Sequence, residues 1–112
     1  MKQKLAEDHF TALVNGKSIP AGGKTTGTGI QIEWQNGPLG RGDARQEPNG
    51  AFVEGVIQAA IGRLQYYQTA CSGRFACREN AIALTHLETA LLWLQKRTED
   101  REARQVEGTH TP

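Results

Sequence analysis

The chain has almost no excess charge of either sign: 13 Lys and Arg stand against 12 Asp and Glu, a formal net charge of +1. A protein that coats nucleic acid through bulk charge shows a clear basic excess, so that class is set aside. Two or three placed arginines need no global excess, and a small anionic ligand stays open. Long apolar runs are also missing. No stretch approaches the length of a transmembrane helix, and the start MKQKLAEDHF lacks the apolar segment of a signal peptide. These features predict a soluble, intracellular protein without membrane contact. Cysteine is scarce. Cys71 and Cys77 form neither a CxxC redox pair nor a zinc ligand set, and in a reducing compartment they read as two small thiols. His9, His86 and His110 are scattered and make no HxxxH or HExxH pattern, so neither a metal site nor a cofactor is expected. Aromatics are sparse, at 6%, and the apolar fraction of 38% with a mean hydropathy of -0.54 allows only a modest core.

What is present divides into two halves. A length of 112 residues suggests one domain. Residues 1–48 are rich in glycine, threonine and polar side chains. The run AGGKTTGTG (21–29) reads as a flexible connector, because its four glycines defeat a helix. A phosphate cradle around Gly22, Gly23 and Lys24 lacks the GxxxxGK[ST] spacing of a P-loop. In GIQIEW (29–34), Ile30, Ile32 and Trp34 alternate with Gln31 and Glu33, the pattern of a half-buried strand. Residues 10–18, FTALVNGKS, offer another strand with a turn at Asn15-Gly16. Small sheet first, long helices after: the expected class is α+β, an N-terminal antiparallel sheet followed by two long antiparallel helices.

Residues 49–104 read as that helical hairpin, with 105–112 as a tail. Asn49 is the expected N-cap of the first helix, which ends near Tyr66-Tyr67-Gln68. Val53, Ile57, Ala60, Ile61 and Leu64 make its apolar stripe. Ala51, Gly55, Ala59 and Gly62 make a smooth second face. Such a face suits close approach of another backbone, or is plain surface glycine. The second helix runs from Cys77 or Arg78 to Arg104. Leu84, Leu87, Leu91 and Leu94 repeat at three and four residues, a heptad-like seam. Two helices and a small sheet bury little alone, so self-association is expected.

Arg97, Arg101 and Arg104 follow at intervals of four and three, which stacks like charges on one helical face. Two readings are open. One is a solvated helix end, where arginine suits the macrodipole, Asp100 can pair with Arg104, and Lys96 with Asp100. The other is bidentate phosphate binding, for which the guanidinium is well shaped. Tyr66, Tyr67 and Phe75 suit either stacking on a base or core packing. Asn80 suits either a hydrogen bond to base or ribose or the start of the second helix. Glu99, Glu102 and Glu107 have no nucleophile or metal to pair with, and no catalytic constellation is visible, so no enzyme is expected.

The runs IQIEWQNGPLGRG, NGAFVEGVIQAAIGRLQYYQ and RFACRENAIALTHLETALLWLQKRTEDREARQVEGTH resemble the Thoeris anti-defence protein 1 family of bacteriophages. The helical part is also similar to phage anti-CBASS protein 2. The likeness covers residues 28–112 and leaves 1–27 unmatched. It implies a sponge: a protein that captures a cyclic nucleotide immune signal in the cytoplasm of an infected bacterium and does not cleave it. The implied ligands are cyclic ADP-ribose isomers, with cyclic di- or trinucleotides at separate sites in some members. The implied assembly is a dimer and often a hexamer, with the pocket between subunits, so that residues 1–112 form a single nucleotide-sequestering domain. Matched residue by residue, the family's pocket implies Asn80, Arg97 and Arg101, and an aromatic at the end of helix one, here Tyr67 rather than Tyr66. Arg41 is implied as a contribution from a second subunit, and Thr109 and His110 as pocket-edge residues. The alternative is a helical interaction module that inhibits a host factor through the leucine seam. It needs no such arginine pair.

Overall fold

The computed structural model describes residues 2–112 and confirms the α+β class: a three-stranded antiparallel sheet, then two helices. The strands are β1 (Ala6–Val14), β2 (Lys17–Gly27) and β3 (Ile30–Trp34), in the order β1-β2-β3. The helices are α1 (Val53–Gly73) and α2 (Arg78–Ala103). The described residues form two compact units, one of 2–52 with 104–112 and one of 53–103.

In the sheet unit, the turn at Asn15-Gly16 forms as expected. Both residues have positive φ, 53° and 77°, which the two-residue hairpin turn with matching twist requires. The expected single strand at 10–18 is in fact two strands meeting at that turn. The connector expected at 21–29 is not one. Most of it is β2, the central strand, followed by a short turn into β3. Its glycines answer crowding, not flexibility: a Cβ on Gly23 would fall on the carbonyl oxygen of Asp8 in β1. β2 carries one residue more than β1 where the register slips, between the pairs His9–Gly23 and Thr11–Pro20. Pro20 lies beyond the stretch that pairs with β3, so its missing N–H deprives no partner there. Thr25, 3% exposed, is the one buried side chain among the described residues. Its hydroxyl accepts a hydrogen bond from Trp34 Nε1 at 2.9 Å.

The first helix starts later than expected, and Asn49 does not cap it. Residues 49–51 instead lie along β3. Ala51 N donates to Glu33 O at 2.7 Å, and Gln35 N donates to Ala51 O at 2.9 Å. Asn49 clasps the backbone of Asn36, accepting from its N–H at 2.8 Å and donating to its carbonyl at 3.0 Å. A Cβ on Gly50 would lie 2.6 Å from the Trp34 carbonyl, so the approach needs glycine. A short-range cap signal lost here to pairing with a strand more than a dozen residues away.

In the helical unit, α1 keeps helical geometry to Thr69, close to the expected end near Tyr66-Tyr67-Gln68. Ala70, Cys71 and Ser72 leave helical geometry, and Cys71, Ser72 and Gly73 all take positive φ. Gln68 closes the reversal, its side-chain amide pairing with the Cys77 backbone through Cys77 N–H to Oε1 at 2.9 Å and Nε2 to Cys77 O at 3.0 Å. Half-buried positions mark the seam: Ile57, Ile61 and Leu64 on α1, and Leu84, Leu87, Leu91 and Leu94 on α2. None reaches full burial, and Leu92 and Trp93 stand 65% and 66% exposed. The smooth face of α1 is open within the chain, since nothing lies within 4 Å of a Cβ built on Gly55 or Gly62. Ala51 lies outside the helix and so does not extend that face.

Candidate functional site

The expected site residues fall into three places. At the tip of the helical hairpin lies an open cavity of about 490 Å³, within the size range of small-molecule pockets. Tyr67 and Asn80, both expected, line it, and so do Tyr66 and Phe75. The tyrosine rings sit with centroids 6.0 Å apart and planes at 56°, offering two differently aimed faces. Asn80 lies in the first turn of α2, half-buried, and its amide makes no hydrogen bond among the described residues. Arg63, Ala70 and Cys71 complete the wall. None of the three is a site residue expected from the sequence. Arg63 was legible there: it stands three and four residues before the tyrosines, the spacing at which helical side chains meet. Its guanidinium carbon lies 4.9 Å from the Tyr66 centroid and 4.8 Å from that of Tyr67, and its Nε donates to Tyr67 Oη at 3.1 Å. Cys71 carried no local signal, because its place depends on the left-handed turn after α1.

Arg97 and Arg101 stand near the other end of α2. A rise of about 1.5 Å per residue places them about 25 Å and about 32 Å beyond Asn80 along the axis. One chain therefore does not bring them to its own tip cavity. Arg97 is exposed and makes no hydrogen bond or ion pair among the described residues. Arg101 is half-buried and continues the leucine seam at the same three-four spacing. Lys96 pairs with Asp100 at 3.5 Å, as expected. The expected partner of Arg104 is corrected: its Nη2 donates to the carbonyl of Pro112 at 2.8 Å.

The third place is in the sheet unit, where the tail returns to the turn after β3. Gly40 N donates to Gly108 O at 2.8 Å, and Arg41 Nη1 donates to Glu107 O at 3.1 Å. Arg45 pairs with the Glu107 carboxylate at 2.9 Å. Thr109 is half-buried in a tight turn, its N–H and hydroxyl both directed at Val106 O, and His110 is exposed. Arg41 and Thr109 thus belong to one local structure although they are far apart in sequence. Among the described residues no three His, Cys, Asp or Glu side chains gather as a metal site, and no helix is long and apolar enough to cross a membrane.

Aromatic faces, an amide with no protein partner among the described residues and a guanidinium converging on one open cavity suit a planar ring joined to an anion. Comparison with known proteins bears on the same region. The chain is 49% identical over 79 residues to "Thoeris anti-defense 1" of Bacillus phage SBSphiJ7, an alignment covering 70% of this chain and 51% of that protein. The chain thus spans about half the length of the relative it matches. The family model for the Acb2/Tad1 hairpin domain matches residues 27–99, from the end of β2 through most of α2. The chain belongs to the Acb2/Tad1 hairpin domain family.

Proposed function

We propose that the protein is a phage anti-defence sponge that captures a cyclic nucleotide immune signal, a cyclic ADP-ribose isomer first of all, in the cytoplasm of the infected cell, and releases it unchanged. The observation that carries this reading is the aromatic and amide-lined cavity at the hairpin tip. The family likeness supports it, as does the relative's name, Thoeris anti-defense 1. Cyclic di- or trinucleotides are further candidate ligands, with CBASS signalling a further target, through the family's other named branch.

The separation along α2 shapes the reading. The pocket is completed between two copies: Tyr67 and Asn80 come from one, and the phosphate-binding Arg97 and Arg101 from the other. Exposed seams support self-association, as a dimer or hexamer. A fully buried Leu or Ile stabilises by about 1.5–3 kcal/mol, and half-exposed side chains realise only part of that. A pyrophosphate held between Arg97 and Arg101 offsets their repulsion through charge-assisted hydrogen bonds. Arg41, Thr109 and His110 are assigned to the ligand by family resemblance. Sequestration needs affinity and not acid, base or nucleophile.

One experiment separates the classes. Protein is mixed with cyclic ADP-ribose isomers, freed of unbound ligand, heat-denatured, and the supernatant chromatographed. Intact nucleotide supports the sponge. A chemically altered product marks an enzyme, and an empty supernatant marks the interaction module. Light scattering alongside should show a mass above the 12.2 kDa of one chain, and a monomer at micromolar concentration would rule out the shared pocket.

A further inference from the structure

We propose that Arg63 is an anion-binding residue of the hairpin tip, a ligand contact that selects molecules carrying a phosphate one sugar away from an aromatic base. The inference rests on the cyclic nucleotide reading above and adds a contact to it.

Three features of the geometry carry it. First, the guanidinium is held but not neutralised. It lies against two tyrosine rings, at 4.9 and 4.8 Å, and forms no ion pair among the described residues. A ring quadrupole attracts a cation yet has no net charge, so the full positive charge stays available to an anion. Second, its donors are divided. Nε is committed to Tyr67 Oη at 3.1 Å, which fixes the plane of the fork. Neither terminal nitrogen makes a hydrogen bond within the described residues, and two adjacent N–H groups fit two phosphate oxygens. Third, the surroundings match the other half of such a ligand. The same cavity holds Phe75, over whose ring the Arg74 guanidinium lies at 5.1 Å, and Asn80, whose amide makes no hydrogen bond among the described residues and suits a base edge or ribose.

Position makes this charge distinct from Arg97 and Arg101 of the second helix. Arg63 is a tip residue, whereas Arg97 and Arg101 lie about 25 Å or more along α2 from Asn80 in the same chain. Each tip therefore carries a cation before any second copy closes over it. Because the tyrosines already restrict the side chain, little rotamer freedom is left to lose on binding.

Calorimetric titration of the full chain tests the assignment. Wild type, Arg63→Gln and Arg63→Lys are each titrated with a cyclic ADP-ribose isomer, with ADP and with adenosine, at low and high salt, with melting curves beside them. Arg63→Gln should weaken both phosphate-bearing ligands by about ten- to a hundredfold and adenosine by less than about threefold. Its binding should also depend less on salt. Arg63→Lys, which keeps the charge over the rings, should lie between, and it serves as the test if Arg63→Gln does not fold. Equal weakening of adenosine and the nucleotides would make Arg63 a scaffold for the tyrosines and overturn the contact. Unchanged nucleotide binding by Arg63→Gln would overturn it as well. If wild type binds ADP but no cyclic ADP-ribose isomer, the cyclic nucleotide reading falls and the ADP series still decides Arg63. Binding of neither would overturn both.

Discussion

The sheet unit and the helical hairpin are held together by different means. The sheet unit, small and glycine-rich, is knitted by hydrogen bonds between residues distant in sequence: Asn49 on Asn36, Ala51 along β3, and the tail on the turn that contains Gly40. It also contains the one buried side chain of the described residues, Thr25. The hairpin has longer elements and a more regular apolar pattern, yet none of its side chains is fully buried. Directional bonds need no cover, whereas apolar stripes contribute in proportion to the area they remove from water. The half-covered stripes of the hairpin are built to be covered, and β1 also leaves apolar side chains open, with Phe10 50% and Leu13 75% exposed. The family match favours the hairpin: it takes in β3 and most of the hairpin and omits β1 and most of β2.

Six substitutions would break or sharpen this contrast. The largest effect should come from Gly23→Ala, whose added Cβ meets the Asp8 carbonyl in the neighbouring strand. A loss of about 3 kcal/mol is expected, with hydrogen exchange rising in β1 and β2 while the α1 and α2 amides keep their protection. Equal loosening of the helices would show that the two regions unfold as one. Next come the arginines. Arg97→Ala and Arg101→Ala should each lower affinity for the nucleotide proposed above by about ten- to a hundredfold, Arg97→Ala with little change in melting temperature because the side chain is exposed. Arg104→Ala should change affinity less, since its guanidinium is engaged with Pro112. Parent-like binding by both of the first two would dismiss the clamp, and failed assembly would make them interface residues. A smaller effect is expected from Gln68→Ala. It removes both bonds to the Cys77 backbone and should cost about 1–2 kcal/mol, read as earlier melting of the helical signal with the sheet amides unmoved. Smallest is Ser72→Gly. Left-handed backbone costs a non-glycine residue roughly 1–2 kcal/mol, part of which glycine returns as chain entropy. A gain of up to about 1 kcal/mol should appear in denaturant melts; a loss would mean that the serine side chain has a role of its own.

Periodicity made the hairpin legible. The leucine spacing marked the seam of α2 because each three-four step returns to one face, and the Asn-Gly pair marked the β1–β2 turn because few other residues accept two positive φ angles. Composition misled at 21–29, where glycine signals either freedom or crowding, and only the strand beside it tells which. Asn49 misled for a related reason: its amide had two offers, a helix start nearby and the Asn36 backbone across the chain, and sequence order shows only the first. At the site, Tyr67 and Asn80 share a cavity because the reversal brings the end of one helix to the start of the next. Arg63 was written in plain helical spacing. The distance of Arg97 and Arg101 from the tip was also readable, since a helix is a ruler. A partner's contribution is not, because no spacing within one chain measures the gap to another.

The turn after α1 does two jobs, reversing the chain and walling the cavity through Ala70 and Cys71. A wall made of turn is cheap to rewrite. A residue inserted or dropped there changes the outline of the cavity while the two helices keep their seam, much as a lock can be recut without rehanging the door. On the reading proposed above, a change in the length of this short bend would retune which ligand the tip holds without disturbing the hairpin that carries it.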